Sequence, residues 1–153
     1  MAKKPYLQDQ LPYLTNPITF NLVDIQTPVQ GQKLLSTWII NSVKMEKKTL
    51  GHISINICSD EYLIKMNRTT LSHNYYTDII TFDFCEGSHI SGDIYISRDR
   101  VKENAQTHAV TLKKEMSRVI IHGILHLCGY RDKSEADIRL MRDKENYYLS
   151  LQH

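Results

Sequence analysis

Two histidines stand four residues apart in the stretch Val119-Ile120-Ile121-His122-Gly123-Ile124-Leu125-His126-Leu127-Cys128-Gly129-Tyr130-Arg131-Asp132. On a helix turning about 100° per residue, His122 and His126 differ by about 40° around the axis and sit one turn apart. Two imidazoles so placed can chelate one metal ion, as in HxxxH zinc helices. On an uninterrupted helix Asp132 would lie about 9 Å beyond His126, out of reach. Gly129 tolerates positive φ, so it can end the helix and turn the chain back, bringing the Asp132 carboxylate beside the rings. The same spacing fits two hydrogen-bonded core histidines and an exposed turn aspartate equally well. If all three ligate, at least one coordination position stays open for water or a phosphate oxygen.

The elements that must position these residues are legible from periodicity and caps. Ile18 to Val23 is rich in β-branched and apolar residues and predicts a first strand. Leu34, Leu35, Trp38, Ile39 and Val43 fall at helical spacing within about 29–48, with Gly51 as the expected stop and Trp38 in the core. His52 to Cys58 alternates polar and apolar, a half-buried strand. Ser59 or Asp60 can cap a short helix through Arg68. Asp78–Phe84 and Gly92–Ser97 predict two strands close enough for an antiparallel hairpin. Helices are expected over 99–106 and 111–128, and Ser134 with Asp137 resembles a capping box opening a last helix to about Leu151. About four strands and five helices predict an α+β fold, with a small mixed sheet packed by helices and the HxxxH helix at its centre.

The chain has 153 residues, which predicts a single domain over 1–153. Its 41% hydrophobic and 24% charged residues describe an ordinary globular protein and exclude a disordered one. A formal net charge of +2 excludes a polycation but allows a local basic groove, for which Lys44, Lys47, Lys48, Arg98, Arg100, Lys102, Lys113 and Lys114 are candidates. No apolar run approaches a bilayer span, and the N-terminal residues lack the apolar region of an export signal. Cys58, Cys85 and Cys128 form no CxxC pair, which fits reduced thiols and a cytoplasmic location.

His122-Gly123-x-Leu125-His126-Leu127-x-Gly129-Tyr130 closely resembles the signature helix of the YbeY family, bacterial metal-dependent endoribonucleases. Asn67-Arg68 followed by Thr77-Asp78-Ile79-Ile80-Thr81-Phe82 resembles the family's entry into its central strand, and Gly92-Asp93-Ile94-Tyr95-Ile96-Ser97 its next strand. Glu115 and Arg118 ahead of the metal helix, and Met141 and Glu145 in the last helix, match as well. The resemblance covers most of residues 51–149 and implies zinc held by His122, His126 and the residue at 132. It further implies cleavage of single-stranded RNA in ribosomal RNA processing, notably at the 16S rRNA 3′ end, and in ribosome quality control. RNA and ribosomal particles are then the partners.

Two positions depart from the family pattern. Its motif ends in Asp-His, whereas this chain has Arg131-Asp132. A carboxylate is an acceptable zinc ligand; it makes the site harder, open to manganese or iron, and should make bound water less acidic. The family's phosphate-contacting arginine falls at Leu71, so Arg68 first and Arg131 second are the candidate catalytic replacements. For each, a solvated surface arginine is the commoner alternative.

Two other classes compete with the nuclease. A zinc peptidase would need its general-base glutamate where Gly123 stands, and Glu115 on the same face lies about 10 Å along the axis. A non-catalytic ribosome assembly or binding factor with a structural metal is favoured by the changes at 71 and 132.

Overall fold

The computed structural model describes residues 16–72 and 76–152. The N-terminal residues 1–15, on which the expectation about an export signal falls, residues 73–75 and residue 153 lie outside that range. In chain order the elements are β1 (Ile18–Leu22), α1 (Gln32–Met45), β2 (Thr49–Cys58), α2 (Asp60–Thr70), β3 (Ile79–Asp83), β4 (His89–Ser97), α3 (Arg98–Thr107), α4 (Leu112–Leu127) and α5 (Glu135–Ser150).

The strands form one sheet in the order β1-β2-β4-β3. β1 and β4 run parallel to β2, while β3 runs antiparallel to β4, pairing Ile79 with Ile96 and Asp83 with Gly92. The α+β expectation, with four strands and five helices, is borne out, and so is the hairpin. Parallel neighbours need crossover helices, and these cover the faces.

Alternation along β2 and β4 explains the layering. Ile53, Ile55 and Ile57 of β2 and Ile90, Ile94 and Ile96 of β4 are buried in one cluster with Trp38 and Ile39 of α1, Ile120 and Ile124 of α4, and Met141 and Tyr148 of α5. On the opposite face Cys58 and Ile80 meet Leu63 of α2, with Phe82 and Tyr95 beside them. Each fully buried aliphatic side chain contributes on the order of 1.5–3 kcal/mol, so the two-sided burial of the central strands dominates stability. Trp38 is core as expected, and its indole N–H donates to the Tyr148 carbonyl at 2.8 Å.

Caps follow the sequence closely. Ser59 accepts from Tyr62 N, Ser97 from Arg100 N, Thr111 from Lys114 N and Ser134 from Asp137 N. The end of α1 differs from expectation. The helix stops at Met45, Lys47 takes a left-handed φ of 58°, and Gly51 lies inside β2, where the pairing with β4 shifts register between Leu50 and Ile53. Among the described residues no helix is long and apolar enough to cross a membrane.

Candidate metal centre

α4 carries both histidines on a helix whose other side is core. Gly123, next to His122, is buried against the sheet: an added Cβ would lie 2.9 Å from Ile79 Cδ1 and 3.1 Å from Ile94 Cδ1. The position at which a zinc peptidase carries its glutamate therefore faces β3 and β4, away from the imidazoles.

The helix ends as the Gly129 reading required. Gly129 takes φ +105°, its N–H donates to the His126 carbonyl, and Tyr130 N–H donates to Leu125 O, both at 3.0 Å. This reversal brings Asp132 Oδ2 to 3.4 Å from His122 Nε2 and 3.3 Å from His126 Nε2, while the two Nε2 atoms stand 3.0 Å apart. Among the described residues, His122, His126 and Asp132 form a group that could hold a metal ion.

Two observations test the fit. Ligand atoms about 2.0–2.1 Å from one ion, at angles of about 90–110°, stand about 2.8–3.4 Å from one another, and the three distances fall in that window. The second observation is the state of the rings. His122 Nδ1 donates to Glu145 Oε2 at 2.7 Å and His126 Nδ1 donates to the Tyr130 carbonyl at 2.9 Å. These partners leave each Nε2 as a lone-pair acceptor in the neutral ring. Two such nitrogens and an acceptor-only carboxylate converge on one point, and a cation is the species that satisfies all three.

Glu145 anchors this arrangement from α5. Its side chain is 5% exposed and receives Arg118 Nη1 at 3.1 Å, with Arg142 Nη1 at 3.6 Å. Burial opposes its ionisation, but the His122 hydrogen bond and charge, then the Arg118 hydrogen bond, outweigh it and hold its carboxyl below the ordinary range. For His122 burial likewise opposes the charged form, yet Glu145, and further Asp132 and Asp78, raise its pKa. Asp78, just before β3, is pushed up chiefly by burial. Its Oδ2 accepts from Asn104 Nδ2 at 3.4 Å.

A cavity of about 860 Å³ opens over the ligands. Arg131 and Lys133 line it, with both histidines, Asp132 and Leu71. Leu71 thus occupies the wall at the place where the resemblance expects an arginine. Arg68 lies in the last turn of α2, exposed, and is not among the residues lining this cavity. Nor do the eight basic residues proposed for a groove line it; Arg131 and Lys133 line this cavity, and Arg118 and Arg142 an adjoining one of about 420 Å³.

Sequence reasoning gave no role to Glu145, the Tyr130 carbonyl, Asn104 or Arg142. Glu145 did leave a signal: it sits on the buried stripe of α5 with Met141 and Tyr148, where a charged residue requires a partner.

Known proteins resemble this chain over most of its length. The family model described as endoribonuclease YbeY matches residues 18–152. A Parabacteroides distasonis protein named endoribonuclease YbeY is 46% identical over 134 residues, covering 88% of this chain and 94% of that protein. One of the same name from Cytophaga hutchinsonii is 47% identical over 135 residues, covering 88% and 94%. Among solved structures, the solution structure of a Thermotoga maritima protein superposes with a TM-score of 0.62 at 28% identity, covering 87% of each chain. The matched span includes every strand, the HxxxH helix, Asp132 and the supporting Glu145, and on that extent of agreement the chain belongs to the endoribonuclease YbeY family.

Proposed function

We propose that the chain is a metal-dependent endoribonuclease that cuts single-stranded RNA and acts in the cytoplasm, in ribosomal RNA processing that includes 16S rRNA 3′-end maturation and ribosome quality control. Residues 1–153 act as one nuclease unit with RNA and ribosomal particles as partners, and zinc is the preferred ion. The observation that carries the reading is the convergence of His122 Nε2, His126 Nε2 and Asp132 Oδ2 at 3.0–3.4 Å beneath an open cavity, in a chain of this family.

When bound, a divalent ion acidifies a water and neutralises charge on a phosphodiester. The protein's own part is positional. Glu145 and the Tyr130 carbonyl fix both rings by their Nδ1 atoms, so the Nε2 atoms need no reorganisation to ligate. Asp132 supplies the third donor, and its charge makes the set harder than three imidazoles. Arg131, exposed on the cavity wall, is the guanidinium placed to fork onto phosphate oxygens, with Lys133 beside it. Arg68 on α2 is the other candidate for that phosphate contact.

Leu71 on the cavity wall favours a second reading, a ribosome-binding factor whose metal is structural. Cleavage of a structured RNA by wild type and by His126→Ala, both shown folded by circular dichroism, separates the two. Metal-dependent cutting lost in the variant supports the nuclease. Equal trace cutting by both proteins refutes it and leaves the binding role.

A further inference from the structure

The 420 Å³ cavity beside the ligands has His122 and Asp132 at one end and Glu115 among its other lining residues. Glu115 lies two helical turns before His122, about 10 Å along the axis of α4. Its side chain is 6% exposed, and no donor among the described residues lies within hydrogen-bonding distance of its carboxylate. Arg118 Nε forms a long ion pair with it at 4.0 Å, and Arg118 gives its hydrogen bond to Glu145. A carboxylate offers about four acceptor sites, and those of Glu115 open onto the cavity, where a ligand can supply the donors. Burial accordingly raises the Glu115 pKa against the pull of Arg118 and His108.

Charge and shape decide what would complete the pocket. Four carboxylates line it, those of Asp78, Glu115, Asp132 and Glu145, with the guanidinium groups of Arg118 and Arg142 and the imidazoles of His108 and His122. Acceptor oxygens at the Glu115 end suit a neutral group rich in N–H donors. Val119, Ile138 and Met141 give the same cavity an apolar wall for a flat ring. Its volume exceeds that of a nucleobase, and the offset between Glu115 and the metal ligands is about the reach of a base from its own phosphate. Single-stranded RNA is read in this manner, with splayed bases packed on side chains and hydrogen-bonded along their Watson–Crick edges.

Resting on the nuclease reading above, we propose that this cavity is a nucleobase subsite in which the two Glu115 carboxylate oxygens accept from N1–H and N2–H2 of a guanine next to the scissile phosphate. Guanine alone among the four bases sets two N–H donors side by side on that edge. Adenine and cytosine set one donor beside an acceptor, and uracil flanks its donor with carbonyls, so each turns an acceptor towards Glu115.

The test uses the full-length, zinc-loaded protein and the four nucleoside monophosphates, which contain no internucleotide bond to cut, titrated by calorimetry. GMP should bind about 10-fold or more tightly than AMP, CMP or UMP, the range expected for hydrogen bonds to a charged group. In Glu115→Gln, of the same size and with unchanged metal content, the preference should fall away and move towards AMP and CMP, whose donor–acceptor edges match an amide. Equal binding of the four monophosphates by wild type, or an undiminished preference for GMP in the variant, overturns the subsite. Mapping cleavage ends on a random-sequence single strand separates this from the parent reading. Cutting without regard to guanine removes the subsite alone, whereas guanine-selective binding with no cutting removes the nuclease alone.

Discussion

Glu145 Oε2 stands 2.7 Å from His122 Nδ1, so a carboxylate on α5 orients a ring on α4 across the helix–helix interface. The Glu145–His122–ligand-point arrangement fixes the tautomer and raises the basicity of the donating nitrogen. Glu145→Gln keeps the size and can keep a hydrogen bond but loses the charge. Its zinc affinity should fall by about 10–100-fold, read by competition with a fluorescent chelator; an unchanged dissociation constant would remove Glu145 from the support of the site.

Asp132 tests the ligand set itself. In Asp132→Ala the metal content of purified protein should drop steeply, and in Asp132→His it should recover, since Gly129 delivers residue 132 to both Nε2 atoms whichever donor it bears. Elemental analysis gives the answer. Full occupancy in the alanine variant would mean that the two histidines bind with some other third donor.

The raised pKa of His122 gives a pH dependence with opposite signs in two states. A group whose folded pKa is raised contributes stability that is complete below its unfolded value, about 6.5 for histidine, and that fades as pH rises through the folded value. The metal-free protein should therefore lose melting temperature as pH rises above about 6.5, and Glu145→Gln should flatten that slope. Metal binding needs the proton removed, so zinc affinity should rise over the same interval. A metal-free melting temperature that climbs with pH in this range would contradict the ordering of charges at His122.

Behind the ligand loop, Glu46 receives Tyr130 Oη at 2.6 Å, Lys144 Nζ at 3.2 Å and the Tyr148 hydroxyl. Burial resists its ionisation, yet these three donors hold its carboxyl below the ordinary range. Glu46→Ala strands two hydroxyls and an ammonium, and should cost about 1–3 kcal/mol in denaturant unfolding. Because the Tyr130 carbonyl holds His126, zinc affinity should weaken in the same variant. Stability lost with zinc binding intact would show that the loop keeps its shape without this anchor.

The cysteines offer a simpler check. Burial, with nearby carboxylates, pushes Cys58 and Cys128 up to about 12. Both thiols should resist a disulfide reagent at about pH 8 until the protein is unfolded. Rapid modification of either in the native state would be inconsistent with the packing of β2 or the end of α4.

What could be read in the sequence is what is local in the chain. The alternation of His52–Cys58, the caps at Ser59 and Ser134 and the hairpin spacing depend on residues close together, and each appears where expected. The meeting of His122, His126 and Asp132 was legible for the same reason, since all three lie between 122 and 132 and one glycine turns the chain back. The strand order, with β4 between β2 and β3, depends on pairings such as Asn56 with Tyr95 that no short-range pattern encodes. The long-range supports share that property: Glu145 reaches α4 across the α4–α5 interface, and Asn104 of α3 meets Asp78 beside β3. Leu71 and Arg68 show a subtler limit, for Leu71 reaches the cavity wall while Arg68, one turn earlier, is absent from it.

Gly123 has one further consequence. A methyl group there would make the Ile79 and Ile94 side chains give way, and a bulkier residue would have to push α4 off the sheet, and α4 carries His122 and His126 as a rigid beam. The centre can thus be disarmed from behind, by a substitution that touches no donor atom and alters no charge. Damage of that kind would present as a failure of metal loading in a protein whose ligands are all intact.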